Sequence, residues 1–150
     1  MGMGRRTGAP GASRPVAAGY NAAMTEAEQF ARDWVAAWNR GDAEAVLRHF
    51  ADDAVFISPL AAAVTGHAEV RGKAALRAYW TEALRLRGAP PRFTLDAVVW
   101  DAERKVLVVL YTSAERGGEV RKAELMAFAA DGRIHRGEAF AGALAAAAGA

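Results

Sequence analysis

The sequence predicts an α+β domain, with helices gathered in the first half and a long antiparallel sheet in the second. Three observations predict it. Apolar residues recur at helical spacing up to about residue 88. From Phe93 onward they are β-branched or alternate with polar residues. Turn signals at Asp101 to Arg104, Gly117-Gly118 and Asp131-Gly132 cut that second half into four strands joined as hairpins. Helices segregated from an antiparallel sheet define the α+β class. Such a sheet covers the helices with one face only, and long strands twist and curve. A curved sheet wrapped over a long helix leaves a conical hollow.

Each element has its own signal. Residues 1–23 are rich in Gly, Ala, Pro and Arg without periodicity, which predicts a disordered leader. Thr25 and Glu28 have capping-box spacing, so the first helix is expected to start there. Phe30, Trp34, Val35 and Trp38 share its inner face, and Gly41 stops it. Asp42 is the N-cap of a short second helix that turns Val46, Leu47 and Phe50 inward. A short strand over 54–58 ends at Pro59, and 60–71 reads as a loop. A third helix follows Gly72 with Leu76, Tyr79, Trp80, Ala83 and Leu84 on one face. The four strands are expected at 93–100, 106–113, 119–129 and 133–141, and 142–150 is an Ala/Gly tail. One domain, 24–141, therefore lies between the leader and the tail.

Composition excludes several classes of function. The chain has 150 residues, enough for one domain with a real core. It has no cysteine, hence no disulfide, thiolate nucleophile or thiolate metal site. His49, His67 and His135 show no metal-ligand spacing, so neither a metal nor another cofactor is expected. The formal charge of +2 comes from the leader: Arg5, Arg6 and Arg14 precede the first acidic residue, Glu26. The rest of the chain is slightly acidic, which argues against a nucleic-acid partner. No apolar run is long enough to span a membrane, and Arg5-Arg6 is followed by no apolar export segment. The expected location is cytoplasmic.

The order of motifs resembles a known family. These are Trp38-Asn39-Arg40-Gly41-Asp42, Phe50-Ala51-Asp52-Asp53-Ala54, Ser58-Pro59, Gly72 with Tyr79-Trp80, Phe128 to Ile134, and Glu138-Ala139-Phe140. From about Thr25 to Ala141 the chain is similar to the SnoaL-like (polyketide cyclase) and ketosteroid-isomerase-like proteins of the nuclear transport factor 2-like superfamily. The resemblance implies a cone-shaped barrel, three N-terminal helices on a strongly curved sheet, an apolar pocket and a homodimer. The long strands support the last point, since apolar residues occur at both parities, as at Val98, Val99 and Trp100.

The same resemblance assigns pocket positions. The isomerases carry a proton-shuttling aspartate where this chain has Ser58, a hydroxyl that is no base near neutral pH without an activating partner. Ser58 is either a ligand hydrogen-bonding group or a strand-end hydroxyl satisfying backbone. Trp34 matches the oxyanion-donating tyrosine, and Phe50 and Trp80 match its two supporting tyrosines, so the phenol network is replaced by a larger aromatic lining. Trp38, Phe56 and Met126 complete the expected lining. Tyr111, if inward, is the remaining phenol donor.

Glu124 is the most informative position. It shares a strand face with Met126 and Phe128 and matches a second pocket acid of the isomerases. It is either a pocket carboxyl with a raised pKa, and so a candidate general acid or base, or a solvent-facing strand acid paired with Arg121 or Arg133. By two-residue alternation His135 shares the pocket parity at the rim, and Glu138 is expected in a surface salt bridge. The resulting reading is a binder of a small hydrophobic molecule. If it is an enzyme, it is a cofactor-free isomerase, cyclase or dehydratase working through Glu124. The alternative is a non-catalytic binding or dimerisation module. The Asp-Arg-Asp set of epoxide hydrolases of the limonene-epoxide type has no counterpart at matching positions.

Overall fold

The computed structural model describes the backbone of residues 15–145 and the side chains of 22–145. Its order is α1 (Pro15–Asn39), α2 (Ala43–Leu47), β1 (Phe50–Ile57), α3 (Pro59–Thr65), β2 (Glu69–Arg71), α4 (Lys73–Arg87), β3 (Phe93–Asp101), β4 (Val106–Glu115), β5 (Gly118–Phe128) and β6 (Ile134–Ala145). The six strands form one sheet in the order β2-β1-β6-β5-β4-β3. All neighbours are antiparallel except β1 and β6, which run parallel. The outermost strands β2 and β3 are not joined, so the curved sheet is an unclosed cone around α1 and α4.

The expected helices form, with corrected ends. α1 begins at Pro15, ten residues before Thr25. Proline suits a first helical position, and the alanines that follow are strong helix formers, so composition that read as leader continues the helix. Residues 1–14 of the expected leader and 146–150 of the expected tail lie outside the described residues, and β6 extends to Ala145. Asp42 caps α2, its carboxylate accepting the Ala45 N–H at 3.0 Å.

The expected loop over 60–71 holds two elements. Ser58 is an N-cap with Pro59 at the first helical position of α3, and Gly66 ends that helix in the left-handed conformation. By sequence alone that Ser-Pro pair signals only a strand stop. β2 then pairs with β1 and buries Val70 against the core.

The core lies between the helices and the inner sheet face. Leu76, Leu107, Val109, Met126 and Ile134 are fully buried there with Leu47 and Phe50. On β4 and β5 the two-residue alternation holds throughout, so Tyr111, Lys122, Glu124 and Met126 share the inner face. On β6 it does not. Ala127 pairs with Arg136 but Phe128 with Ile134, so His135 is an extra residue in β6. The bulge reverses the parity of the strand's first residues, and His135 is exposed rather than at the cavity rim.

Candidate functional site

A cavity of about 180 Å³ opens between the helices and the inner sheet face. Its walls are largely aromatic, and the rings come from several different elements. α1 supplies Trp34 and Trp38, four residues apart and edge to face at 6.3 Å. Trp34 stacks on Phe93 of β3 at 6.0 Å and meets Tyr111 of β4 at 5.2 Å. α4 supplies Tyr79 and Trp80, and Trp80 closes on Trp38 at 5.0 Å and on Phe56 of β1 at 5.4 Å. Such T-shaped and stacked pairs add to the burial energy and fix the rings as a rigid wall.

Two expected lining residues are core instead. Phe50 and Met126 are buried but do not border the cavity. Phe50 opens β1 opposite Ile134, and Met126 lies opposite Leu107 and Gly137, so both sit at the closed end of the cone. Gly137 makes that packing possible: a Cβ there would stand 2.7 Å from the Phe56 ring. Trp34, Trp38, Phe56, Ser58, Trp80, Tyr111 and Glu124 all border the cavity.

Glu124 is 5% exposed, in the middle of β5, between Val109 of β4 and Ala139 of β6. These neighbours offer no side-chain donor, no hydrogen bond to its carboxyl forms among the described residues, and its oxygens open onto the cavity rather than being sealed in the core. Burial pushes its pKa up to about 8, against the opposing pull of the Lys122 ammonium. The solvent-facing alternative fails, and Arg121 pairs with Asp96 instead.

By resemblance, Trp34 and Trp80 stand where the isomerases carry phenols, and two phenols reach the cavity from other positions. Tyr111 faces inward as the expected phenol donor, and Tyr79, a family landmark not expected in the lining, borders the cavity as well. Burial raises both phenol pKa values, and the nearby Glu124 carboxylate raises them further; both stay protonated donors. Ser58 Oγ accepts the N–H groups of Leu60 at 3.1 Å and Ala61 at 3.4 Å and lies 3.4 Å from Tyr79 Oη. With two amides on its lone pairs, its proton is left for Tyr79. The Tyr79 O–H is thereby free to donate into the cavity. Ser58 is the N-cap of α3, and its hydroxyl lies against that of Tyr79.

Arg87, Phe93 and Lys122 also border the cavity and escaped the sequence reading. Lys122 could have been found, since it precedes Glu124 by two residues on the same face. The other candidates lie elsewhere. His67 is exposed, His49 packs edge-on against Phe30, and Glu138 pairs with Arg136 at 3.7 Å. No cluster of three His, Asp or Glu side chains suited to a metal occurs among the described residues.

The sequence profile of the SnoaL-like domain matches residues 31–137. The chain belongs to the SnoaL-like family. A SnoaL-like protein of Burkholderia thailandensis is 31% identical, with 78% of this chain and 94% of that one covered at a TM-score of 0.68. A cystatin-like-fold protein of Methylobium petroleophilum is 28% identical over 86% of this chain and 81% of its own, at a TM-score of 0.61. The epoxide hydrolase/cyclase-like enzyme SalBIII, which acts in pyran ring formation in the polyether salinomycin, is 15% identical. It covers 79% of this chain and 92% of its own at a TM-score of 0.59, a likeness of fold alone. No curated protein matches the chain. No helix among the described residues is long and apolar enough to cross a membrane.

Proposed function

We propose that this SnoaL-like protein binds a small hydrophobic carbonyl compound and catalyses a cofactor-free proton transfer on it, namely isomerisation, cyclisation or dehydration. The observation that carries this reading is the Glu124 carboxyl, buried in an aromatic cavity without a hydrogen-bond partner. An ordinary structural acid is paired or lies open to bulk solvent, whereas this one is 5% exposed, faces the cavity and has no hydrogen-bond partner among the described residues. With a pKa of about 8, it is mostly protonated at neutral pH and retains a minor ionised fraction. It can therefore give a proton to a leaving hydroxyl or take one from carbon beside a carbonyl. Tyr79 and Tyr111 supply donors where negative charge would develop on the substrate oxygen. The aromatic walls exclude water and hold a flat apolar body.

The remaining parts of the reading are a cytoplasmic location and a homodimer. The outer sheet face supports the dimer. Val108 and Leu125 are register partners there, as are Leu110, Ala123 and Phe140, and Val99 and Phe140 are about half exposed.

The test uses 2-tetralone in deuterium oxide, following loss of its α-proton signals by NMR. The wild-type protein should accelerate exchange, with a rate rising with pH through about 8. Glu124→Gln keeps the shape of the side chain and should slow exchange by ~10²–10⁴. Binding of the ketone, read from tryptophan fluorescence, should survive the substitution. Binding without exchange in the wild type would favour the non-catalytic binding module. A Glu124 that titrates like a free glutamate would remove the basis for catalysis.

A further inference from the structure

The charges around the cavity define the class of molecule it takes; this inference rests on the cavity being the ligand site. Three charged side chains reach the wall: Glu124, Lys122 and Arg87. Glu124 is deep. The side chains of Lys122 and Arg87 are 26% and 34% exposed, so they mark the mouth. Lys122 precedes Glu124 by two residues on the same strand face, which sets their Cα atoms roughly 7 Å apart along the wall. It is also the register partner of Tyr111, so acid, phenol and ammonium lie on adjoining strands.

The two cations share one internal anion. Glu115 accepts from Lys122 Nζ at 2.9 Å and lies 3.5 Å from Arg87, and its other proton source is the Ser113 hydroxyl at 2.6 Å. One positive charge at the mouth is therefore uncompensated by this trio. The Lys122 ammonium carries three donors and gives one to Glu115, with no other acceptor for it among the described residues. Apart from the Ser58 hydroxyl and the phenols, the remaining wall is apolar. An apolar slot with donors deep inside and spare cationic donors at its mouth is complementary to a molecule with an apolar body and one anionic end.

We propose that the ligand is an amphipathic carboxylic acid. Its carboxylate sits between Lys122 and Arg87 at the mouth, its ring system lies against Trp34 and Trp38, and the oxygen at its far end meets Glu124 and the phenols. Charge-assisted hydrogen bonds to a carboxylate are short and strong, and partial burial protects them from screening. The anion also fixes orientation, because only one end of the ligand can face the cations. Glu115 holds the two cations in place and is the internal competitor of the ligand carboxylate.

The test is calorimetric titration of the full chain at neutral pH and low salt with 2-naphthoate and with its neutral isostere 2-naphthamide. The expected result is that naphthoate binds about tenfold tighter or better. Lys122→Met and, independently, Arg87→Gln should bring the two probes to similar affinity and leave naphthamide binding within about twofold of wild type. Glu115→Gln should act in the opposite direction and tighten naphthoate binding several-fold, which mere loss of structure cannot do. If naphthamide binds as well as naphthoate, or if the preference survives both cation substitutions, the acid-ligand proposal is overturned while the cavity reading stands. If neither probe binds, both are overturned.

Discussion

Replacing Glu124 by glutamine should change how stability depends on pH more than it changes stability at any one pH. The carboxyl has a folded pKa of about 8 against an ordinary 4.5, because burial penalises the anion. A folded pKa above the unfolded one means that the folded state holds the proton more tightly. The contribution is fully present below about pH 4.5, declines as pH rises, and is gone once pH passes the folded value near 8. At about 1.4 kcal/mol per pH unit, the decline amounts to about 5 kcal/mol over that window. This is a third or more of the 5–15 kcal/mol typical of a domain. Glutamine cannot ionise, so the variant lacks this slope. Asp42, Glu44, Glu82, Asp101 and Glu115, whose pKa values are lowered, act with the opposite sign at acid pH, and they are present in both proteins. Urea unfolding followed by tryptophan fluorescence from pH 4 to 9 should therefore show the two curves parallel at the acid end. The variant should gain steadily on the wild type up to about pH 8. Curves that stay parallel across the whole range would refute the burial argument and return Glu124 to the class of ordinary carboxylates.

Three further outcomes are expected. Ser58→Ala removes the cap of α3 and the hydroxyl beside Tyr79, so thermal unfolding should show a loss of ~1 kcal/mol, and exchange of 2-tetralone should slow without a change in its pH midpoint. Gly137→Ala should cost about 1–3 kcal/mol in chemical denaturation, because the new methyl displaces the Phe56 ring; unchanged stability would show that the ring has room to move. Leu110→Lys places a charge in the centre of the outer sheet face. In sedimentation velocity at micromolar concentration, the wild type should run as a dimer and the variant as a monomer, whereas a monomeric wild type would end the dimer proposal.

The inner face of the sheet was legible because alternation on β4 and β5 is uninterrupted. Leu107, Val109 and Tyr111 point inward for the same reason as Glu124 and Met126. His135 was misplaced because one extra residue reverses parity, and no local feature of Ile134-His135-Arg136 announces it. Tyr79 could be put on the inner face of α4 by helical phase. That its hydroxyl reaches the cavity depends on Ser58, whose capping role comes from a helix the sequence did not reveal. The division of lining from core was equally out of reach. Phe50 and Trp80 both lie on inward faces, and only their depth along the cone decides which of them a ligand can touch.

The place of β6 has a consequence for biosynthesis. Among the described residues the last strand, β6, lies inside the sheet, and it alone links β1 and β2 to β3, β4 and β5. Without residues 134–145 the sheet falls into a two-stranded piece beside the first helices and a separate three-stranded meander. Each of these would have an unpaired edge and half a core. Joining them requires contacts between residues some 80 apart in sequence, such as Phe50 with Ile134, and contacts of that range form slowly. The cavity, with Glu124 on the last strand of the meander, can form only once residues 134–145 have joined the sheet. Until then both exposed edges are sites where a nascent chain can pair with the wrong partner, and the cell must keep them apart.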